Sequence, residues 1–301
     1  MMSLIVTGSI GIDNVDTPTG AVRDVLGGSA IYFAAAASFF GPVRLVAAVG
    51  EDFTDGFLAT LGHFGLDMSG LERRSGSRTF RWHGRYHQDM NRRDTVAVEL
   101  NVLAEAPPQV PESYRDSQFV FLANTDPQSQ MRLLEHFPKR TLAVADTMDI
   151  WISQHRDGLD HLLQRIDGLL LNDSEAVMLS GQTNMVRAAE SILAMGPRFV
   201  VIKKGEHGAL WHDGNQVAAL PAHPASDVVD PTGAGDCFAG AMMGHLSQCG
   251  TDWAAQLNRA IAYGTVLASY NIESFSLERL KQISRADVEA RFGDYCRMLS
   301  M

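Results

Sequence analysis

Cysteine is scarce: Cys237, Cys249 and Cys296 are the only three in 301 residues. They are widely spaced in apolar surroundings, which argues against a disulfide frame or a zinc site and suits reduced thiols. Positive charge is short as well, with 25 Lys and Arg against 35 Asp and Glu and a formal charge of −10. Without a basic run, nucleic acid is not expected as the main partner. No apolar stretch approaches a membrane span, so no membrane partner is expected either. Met1 leads straight into the run Leu4-Ile5-Val6 with no signal-peptide pattern, and a cytoplasmic location is the expectation. Two phosphate-binding fingerprints are missing. Gly8-Ser-Ile-Gly11 is not GxGxxG, which removes a dinucleotide-dependent dehydrogenase, and no GxxxxGKS or GxxxxGKT P-loop occurs. The ten histidines show no metal spacing and no HExxH, so they are assigned no chemistry.

What the chain does have is a steady alternation of buried strands and helices. Its 46% hydrophobic content is enough to bury a full α/β core. Apolar runs of strand length stand at 3–8, 43–49, 119–123, 141–145, 168–171 and 199–203, with helical stretches between them. Continuous apolar strands alternating with helices imply a mostly parallel sheet covered on both faces. Two places break the rhythm. A short hairpin is expected at Asp13 to Leu26, and two long extended segments at Arg78 to Tyr86 and Thr95 to Leu103. Their partial alternation fits antiparallel strands with one wet face, forming a flap over the sheet's edge.

The stretch around which the chain is organised is Val228-Val-Asp230-Pro-Thr232-Gly233-Ala234-Gly235-Asp236. Beyond it the sequence is small and apolar, so Gly233 to Asp236 should form the first turn of a buried helix. The first amides of a helix lack internal partners and face the positive end of its dipole. Gly233 and Gly235 keep side chains out of the way of an anion there. A carboxylate at such a place, Asp236, is either a helix cap or a base beside a phosphoryl group. Two acids bracketing a Thr-Gly-X-Gly turn favour the base. Asn172-Asp173-Ser174-Glu175 follows an apolar strand, where open α/β sheets place their ligands. Its spacing reads equally as a capping box or as ligands to the waters of a Mg²⁺ ion.

Asp230-Pro-Thr-Gly-Ala-Gly-Asp236 resembles the C-terminal signature of the ribokinase-like (PfkB) carbohydrate kinases, usually Asp-Thr-Thr-Gly-Ala-Gly-Asp, with Pro231 as the departure. The resemblance extends along almost the whole chain. It implies a single three-layer α/β domain over residues 1–301, with a mostly parallel central sheet and a small β-sheet lid from about 13–26 and 78–103. It implies an ATP-dependent phosphotransferase acting on an alcohol group of a small sugar-like acceptor, with Asp236 as general base and the amides of Gly233, Ala234, Gly235 and Asp236 as anion hole. Asn172 and Glu175 would hold Mg²⁺ through water. Asp230 and the Thr232 carbonyl match one side of the family's monovalent cation (K⁺) site. Lys204, Gly205 and Gly208, in the Lys203 to Gly208 turn, would line the nucleotide, and Asn258 would lie near the adenine. On the acceptor side the resemblance points to Asp13, Gly27 and Gly28. Tyr32 stands where the family often has Asn, which leaves the acceptor open. Within the family a nucleoside kinase is the alternative, since Tyr32 and the lid aromatics Phe80, Trp82 and Tyr86 offer rings to a base. A non-catalytic sugar or nucleotide sensor of the same fold would have lost Asp236 or its turn, and both are intact. A homodimer through the lid is the assembly to look for.

Overall fold

The computed structural model describes residues 2–300. In chain order its strands are β1 (Leu4–Thr7), β2 (Gly11–Thr17), β3 (Gly20–Gly27), β4 (Val43–Gly50), β5 (Asp67–Arg74), β6 (Phe80–Tyr86) and β7 (Arg93–Glu99). These are followed by β8 (Phe119–Leu122), β9 (Leu142–Asp146), β10 (Gly168–Asn172), β11 (Phe199–Lys203), β12 (Ala209–His212) and β13 (Val217–Leu220). Nine of them form one sheet in the order β13-β12-β11-β10-β9-β8-β1-β4-β5, parallel except where β12 and β13 fold back at the edge. Two buried apolar clusters cover its two faces, as runs such as Leu169-Leu170-Leu171 require of strands packed on both sides.

The chain leaves β1 toward β4 and β5 and later returns to its other side with β8. That reversal makes a topological switch point, and the crevice beyond the carboxyl ends of β1 and β8 is where such sheets bind ligands. Three helices frame it: Ser29–Ser38, Ala234–Cys249 and Leu257–Asn271. All three are buried along nearly their whole length, in keeping with their small apolar sequences.

The second sheet has the order β3-β2-β6-β7. Each of its hairpins is antiparallel, as expected, but the two hairpins meet through β2 and β6 in parallel register, Gly11 opposite Phe80 and Asp16 opposite Arg85. Both strands run outward from the same end of the large sheet, so they point the same way where they pair. Two further departures have local causes. Between β9 and β10 the helical stretch is broken into Asp149–Gln154 and Arg156–Leu163, because His155 sits at φ −126, ψ 33, outside the helical region. β5 was not foreseen, since its charged sequence Asp-Met-Ser-Gly-Leu-Glu-Arg-Arg carries little apolar periodicity and it lies at the sheet edge.

Candidate active site

Gly233 is the N-cap of the helix Ala234–Cys249 and adopts the left-handed conformation, φ 76, ψ −1. A side chain would be strained there, and a Cβ would also run into the ring of Tyr32 on the helix Ser29–Ser38. Tyr32, 2% exposed, therefore lies directly beneath the turn. The Ala234 amide turns back to donate to the Pro231 carbonyl (3.2 Å), and Cys237 N donates to the Gly233 carbonyl (2.8 Å). The amides of Gly233, Gly235 and Asp236 donate to no protein acceptor among the described residues and stand at the helix mouth. Ala234 is thus a correction to the expected anion hole: its amide is already engaged, because the turn closes on Pro231.

Asp236 lies deep among protein atoms yet keeps an opening to the crevice. Burial pushes its carboxyl up to about 6, while Lys203 and Arg93 and a hydrogen bond with Asp146 pull it back. Asp146, at the carboxyl end of β9, is pushed well above the usual range by burial and then by the charge of Asp236. These two buried acids share one neighbourhood, so the ionised form of one favours the protonated form of the other. Asp13, 3% exposed, has Oδ1 without a partner. Burial first, then Asp230 and Asp236, pushes it up to about 8. Its carboxylate occupies the space a Cβ on Gly27 would need, which is why residue 27 carries no side chain. Gly28, at φ 98, lets the loop Ser9 to Gly11 approach the start of the helix Ser29–Ser38.

Asn172 and Glu175 form the capping box: Glu175 N donates to Asn172 Oδ1 at 2.8 Å, and Asn172 N to Glu175 Oε2 at 2.7 Å. The cap engages one oxygen of each residue, which leaves Glu175 Oε1 for a second task. Burial pushes Glu175 up, and Lys203 pulls it down. Among the described residues no group of three His, Cys, Asp or Glu is placed to hold a metal alone. That suits Mg²⁺, which keeps most of its waters and takes one or two carboxylates plus phosphate oxygens.

Two of the expected nucleotide residues lie away from the catalytic turn. Lys203, not Lys204, reaches the turn: its Nζ lies 2.9 Å from where a Cβ on Gly235 would sit. Adjacent residues of a strand point to opposite faces, so a shift of one residue moves the charge out of the site. Lys204 instead begins the tight loop, its amide donating to the Gly208 carbonyl at 2.7 Å, with Gly205 and Gly208 at positive φ. Asn258 is not brought to the cluster. It sits at the start of the helix whose other end, Asn271, meets the catalytic turn, about 20 Å away at 1.5 Å per residue. Its carboxamide oxygen accepts from Trp211 Nε1 at 2.6 Å.

Beside the turn, Asp230 Oδ1 accepts from Thr232 N (2.9 Å), whereas Oδ2 is buried without a partner. The Thr232 carbonyl accepts from Asn271 Nδ2 at 2.7 Å, and the Ile272 carbonyl accepts from the amides of Val229 and Asp230. Of the two oxygens expected to face a monovalent cation, then, only that of Asp230 is without a partner. The small sheet closes over this group: Tyr86 and Thr232 hydroxyls are 3.2 Å apart, and Thr19 Oγ1 donates to the Val229 carbonyl at 3.0 Å.

Comparisons with known proteins bear on the family and the fold. A cytidine kinase of Thermococcus kodakarensis is 32% identical over 256 residues, 82% of this chain and 90% of that protein. The fold is that of a Burkholderia thailandensis nucleoside kinase in complex with inosine, with a TM-score of 0.76 at 20% identity, covering 97% of this chain and 98% of that one. It is equally that of an Escherichia coli protein assigned as ribokinase II, in complex with ATP and Mg²⁺, with a TM-score of 0.77 at 21% identity over 98% and 99% of the two chains. The model of the pfkB carbohydrate kinases matches residues 4–281. An acid at the mouth of a glycine-opened helix, a second acid facing the crevice and a sheet folded across both are thus set in a chain that belongs to the pfkB family of carbohydrate kinases, enzymes that phosphorylate sugars and nucleosides.

Proposed function

We propose that this kinase moves the γ-phosphate of ATP to a hydroxyl of a small sugar-like acceptor, with Asp236 as the base. The supporting observation is the meeting of Asp236 with the unengaged amides of Gly233 and Gly235 at one helix mouth, open to the crevice. The acceptor hydroxyl attacks the γ-phosphorus as its proton passes to Asp236. The bond to the β–γ bridging oxygen breaks, and ADP leaves. Amides and Lys203 meet the charge on the transferring group, and positioning does most of the rest. Asp13, with a free carboxylate oxygen in a dry setting, holds acceptor hydroxyls. Glu175 Oε1 and Asn172 would hold waters of a Mg²⁺ ion that offsets phosphate charge, and the loop at Gly205 and Gly208 would line the nucleotide. A K⁺ ion, where present, belongs at Asp230 Oδ2 with Thr232 beside it.

A ribonucleoside acceptor is favoured by one observation. Asp13, Trp82 and Val98 are register partners across β2, β6 and β7, so their side chains leave one face of the lid side by side. An acid for ribose hydroxyls beside an indole for a base fits a nucleoside, and base–aromatic stacking is worth ~1–3 kcal/mol. The exposed edge strand β7, with Val96 open to solvent and Leu100 just beyond its end, is where a second copy would pair through the lid. The three cysteines are unpaired, in keeping with a cytoplasmic setting where ATP is made.

The test is a thermal-shift screen of pentoses, hexoses and nucleosides with a non-hydrolysable ATP analogue, followed by ADP release with the best acceptor. Asp236→Asn should keep the fold and nucleotide binding and lose ~10²–10⁴-fold in turnover. A variant that keeps more than about a tenth of the rate, well outside that range, would make Asp236 a helix cap and nothing more.

A further inference from the structure

The β6–β7 hairpin does more than cover the crevice. Tyr86, the last residue of β6, is 8% exposed and touches Thr232. Its cross-strand partner is Arg93, the first residue of β7, so the two side chains leave the same face of the sheet. The turn between them reaches across to the nucleotide side. Asn91 Nδ2 donates to Glu206 Oε1 at 3.3 Å, and Asn91 Oδ1 lies 3.2 Å from where a Cβ on Gly205 would sit. The hairpin therefore rests on the catalytic turn at one point and on the 204–208 loop at another, with Arg93 between them. Neighbouring arginines are paired, Arg92 with Asp89 and Arg85 with Asp16, whereas Arg93 has no ion-pair partner among the described residues. Its guanidinium stands 5.8 Å from the centre of the Trp82 ring. Its positive charge is felt by Asp236, Glu175 and Tyr86, each of which it pulls down.

We infer that Arg93 is a catalytic residue delivered by the lid, its guanidinium meeting the phosphoryl group in transfer when the hairpin rests on Thr232 and Glu206. The inference builds on the proposed phosphoryl transfer and exchanges no atoms of its own. The acceptor proton goes to Asp236, the new oxygen–phosphorus bond forms as the old one breaks, and Arg93 only opposes charge on the equatorial oxygens. The need is local. Asp13, Asp146, Glu175, Asp230 and Asp236 crowd the site, and the large sheet sends in one cation, Lys203. Carrying the second cation on the moving element means the constellation is complete only when the lid is shut. Water in an open crevice then meets a weaker catalyst than an enclosed acceptor does.

The experiment compares wild type, Arg93→Ala, Arg93→Lys and Asn91→Ala. For Arg93→Ala, kcat should fall ~10²–10³-fold, the lower end of what a transition-state arginine supplies or just below it. The Kd of a non-hydrolysable ATP analogue, measured by calorimetry, should stay within about threefold, and Arg93→Lys should recover about tenfold of the loss by restoring the charge without the fork. Asn91→Ala should lower kcat less, with Tm unchanged. The decisive readout is the acidic limb of the pH–kcat/KM profile. Without the nearby cation Asp236 ionises at higher pH, so the limb moves up in Arg93→Ala and returns in Arg93→Lys. A kcat within threefold of wild type, or a loss that appears only in nucleotide Kd with the limb unmoved, overturns the assignment while leaving the kinase intact. Should wild type transfer phosphate to no acceptor at all, the reading of the reaction falls and Arg93 with it.

Discussion

Replacing Asp13 by asparagine should stabilise the unliganded protein at neutral pH while removing its hold on the acceptor. The carboxyl is buried, lacks a partner at Oδ1, and is pushed up to about 8 from an ordinary 3.8. A carboxyl raised in the folded state contributes stability that is fully present below its unfolded value, and loses it as pH climbs through the folded value. Keeping Asp13 protonated in the fold at pH 7, where the unfolded chain ionises it, therefore costs about 4 kcal/mol, at 1.36 kcal/mol per pH unit over roughly three units, and the cost levels off near 6 kcal/mol above pH 8. Asparagine escapes this charge penalty but brings an N–H pair that lacks an acceptor, a loss of about 1–3 kcal/mol. The net gain at pH 7 is then about 1–3 kcal/mol, or ~2–5 °C in Tm for a chain of this length. The assay is a melting series from pH 4 to pH 9 for wild type and Asp13→Asn, without and with acceptor. The variant should lie below wild type toward pH 4, cross it at about pH 5–6 and rise above it toward pH 8, and acceptor should raise the Tm of wild type only. A difference that does not change with pH, or a variant less stable at pH 8 than at pH 4 relative to wild type, would show that Asp13 is not a strained acid waiting for hydroxyls.

Two further outcomes follow from the site. Glu175→Gln keeps an acceptor for the Asn172 amide, so Tm should hold within about 1 °C per the small worth of one neutral hydrogen bond, while the Mg²⁺ concentration for half-maximal rate rises severalfold; an unchanged Mg²⁺ titration would leave only the cap. Gly233→Ala meets both left-handed strain and the Tyr32 ring, together ~2–5 kcal/mol, and should cut kcat by ~10² because the amides shift; adding Tyr32→Ala removes the clash, so the double variant should lose less stability than the two single losses summed, and strict additivity would refute the contact.

The parts of this molecule that could be read in the sequence are those set by local chemistry. The parallel strands announce themselves as unbroken apolar runs such as Val200-Val201-Ile202, and the catalytic turn needs only Gly233, Gly235 and Asp236 at fixed spacing. The capping box at Asn172 and Glu175 was equally local, and it is present. Asp146 was missed although it ends an apolar strand in the same manner as Asn172, and that position was the available signal. Lys203 and Lys204 differ by one residue, which sequence cannot assign to a face until the strand's last residue is known. Tyr32 was placed on the acceptor side by its departure from Asn, whereas its ring supports Gly233 from a helix two hundred residues away in sequence. Arg93 was invisible for the same reason: its position depends on where a hairpin docks, and no local pattern encodes that.

The crowding of acids around the acceptor bears on how a turnover ends. On the proposed reading an alcohol would enter this pocket as a neutral molecule and meet Asp13 through its own hydroxyl hydrogens. After transfer the same molecule would carry a phosphate dianion beside Asp236, Asp230 and an Asp13 that burial holds largely protonated at neutral pH. Any of these carboxyls that is ionised repels such an ester in a dry pocket, so the walls would hold the alcohol better than its phosphate. On the proposed role of Arg93, lid opening would remove that residue and, with it, one of the few charges holding the product back. One charge distribution would in this way serve both the transfer and the release of its product.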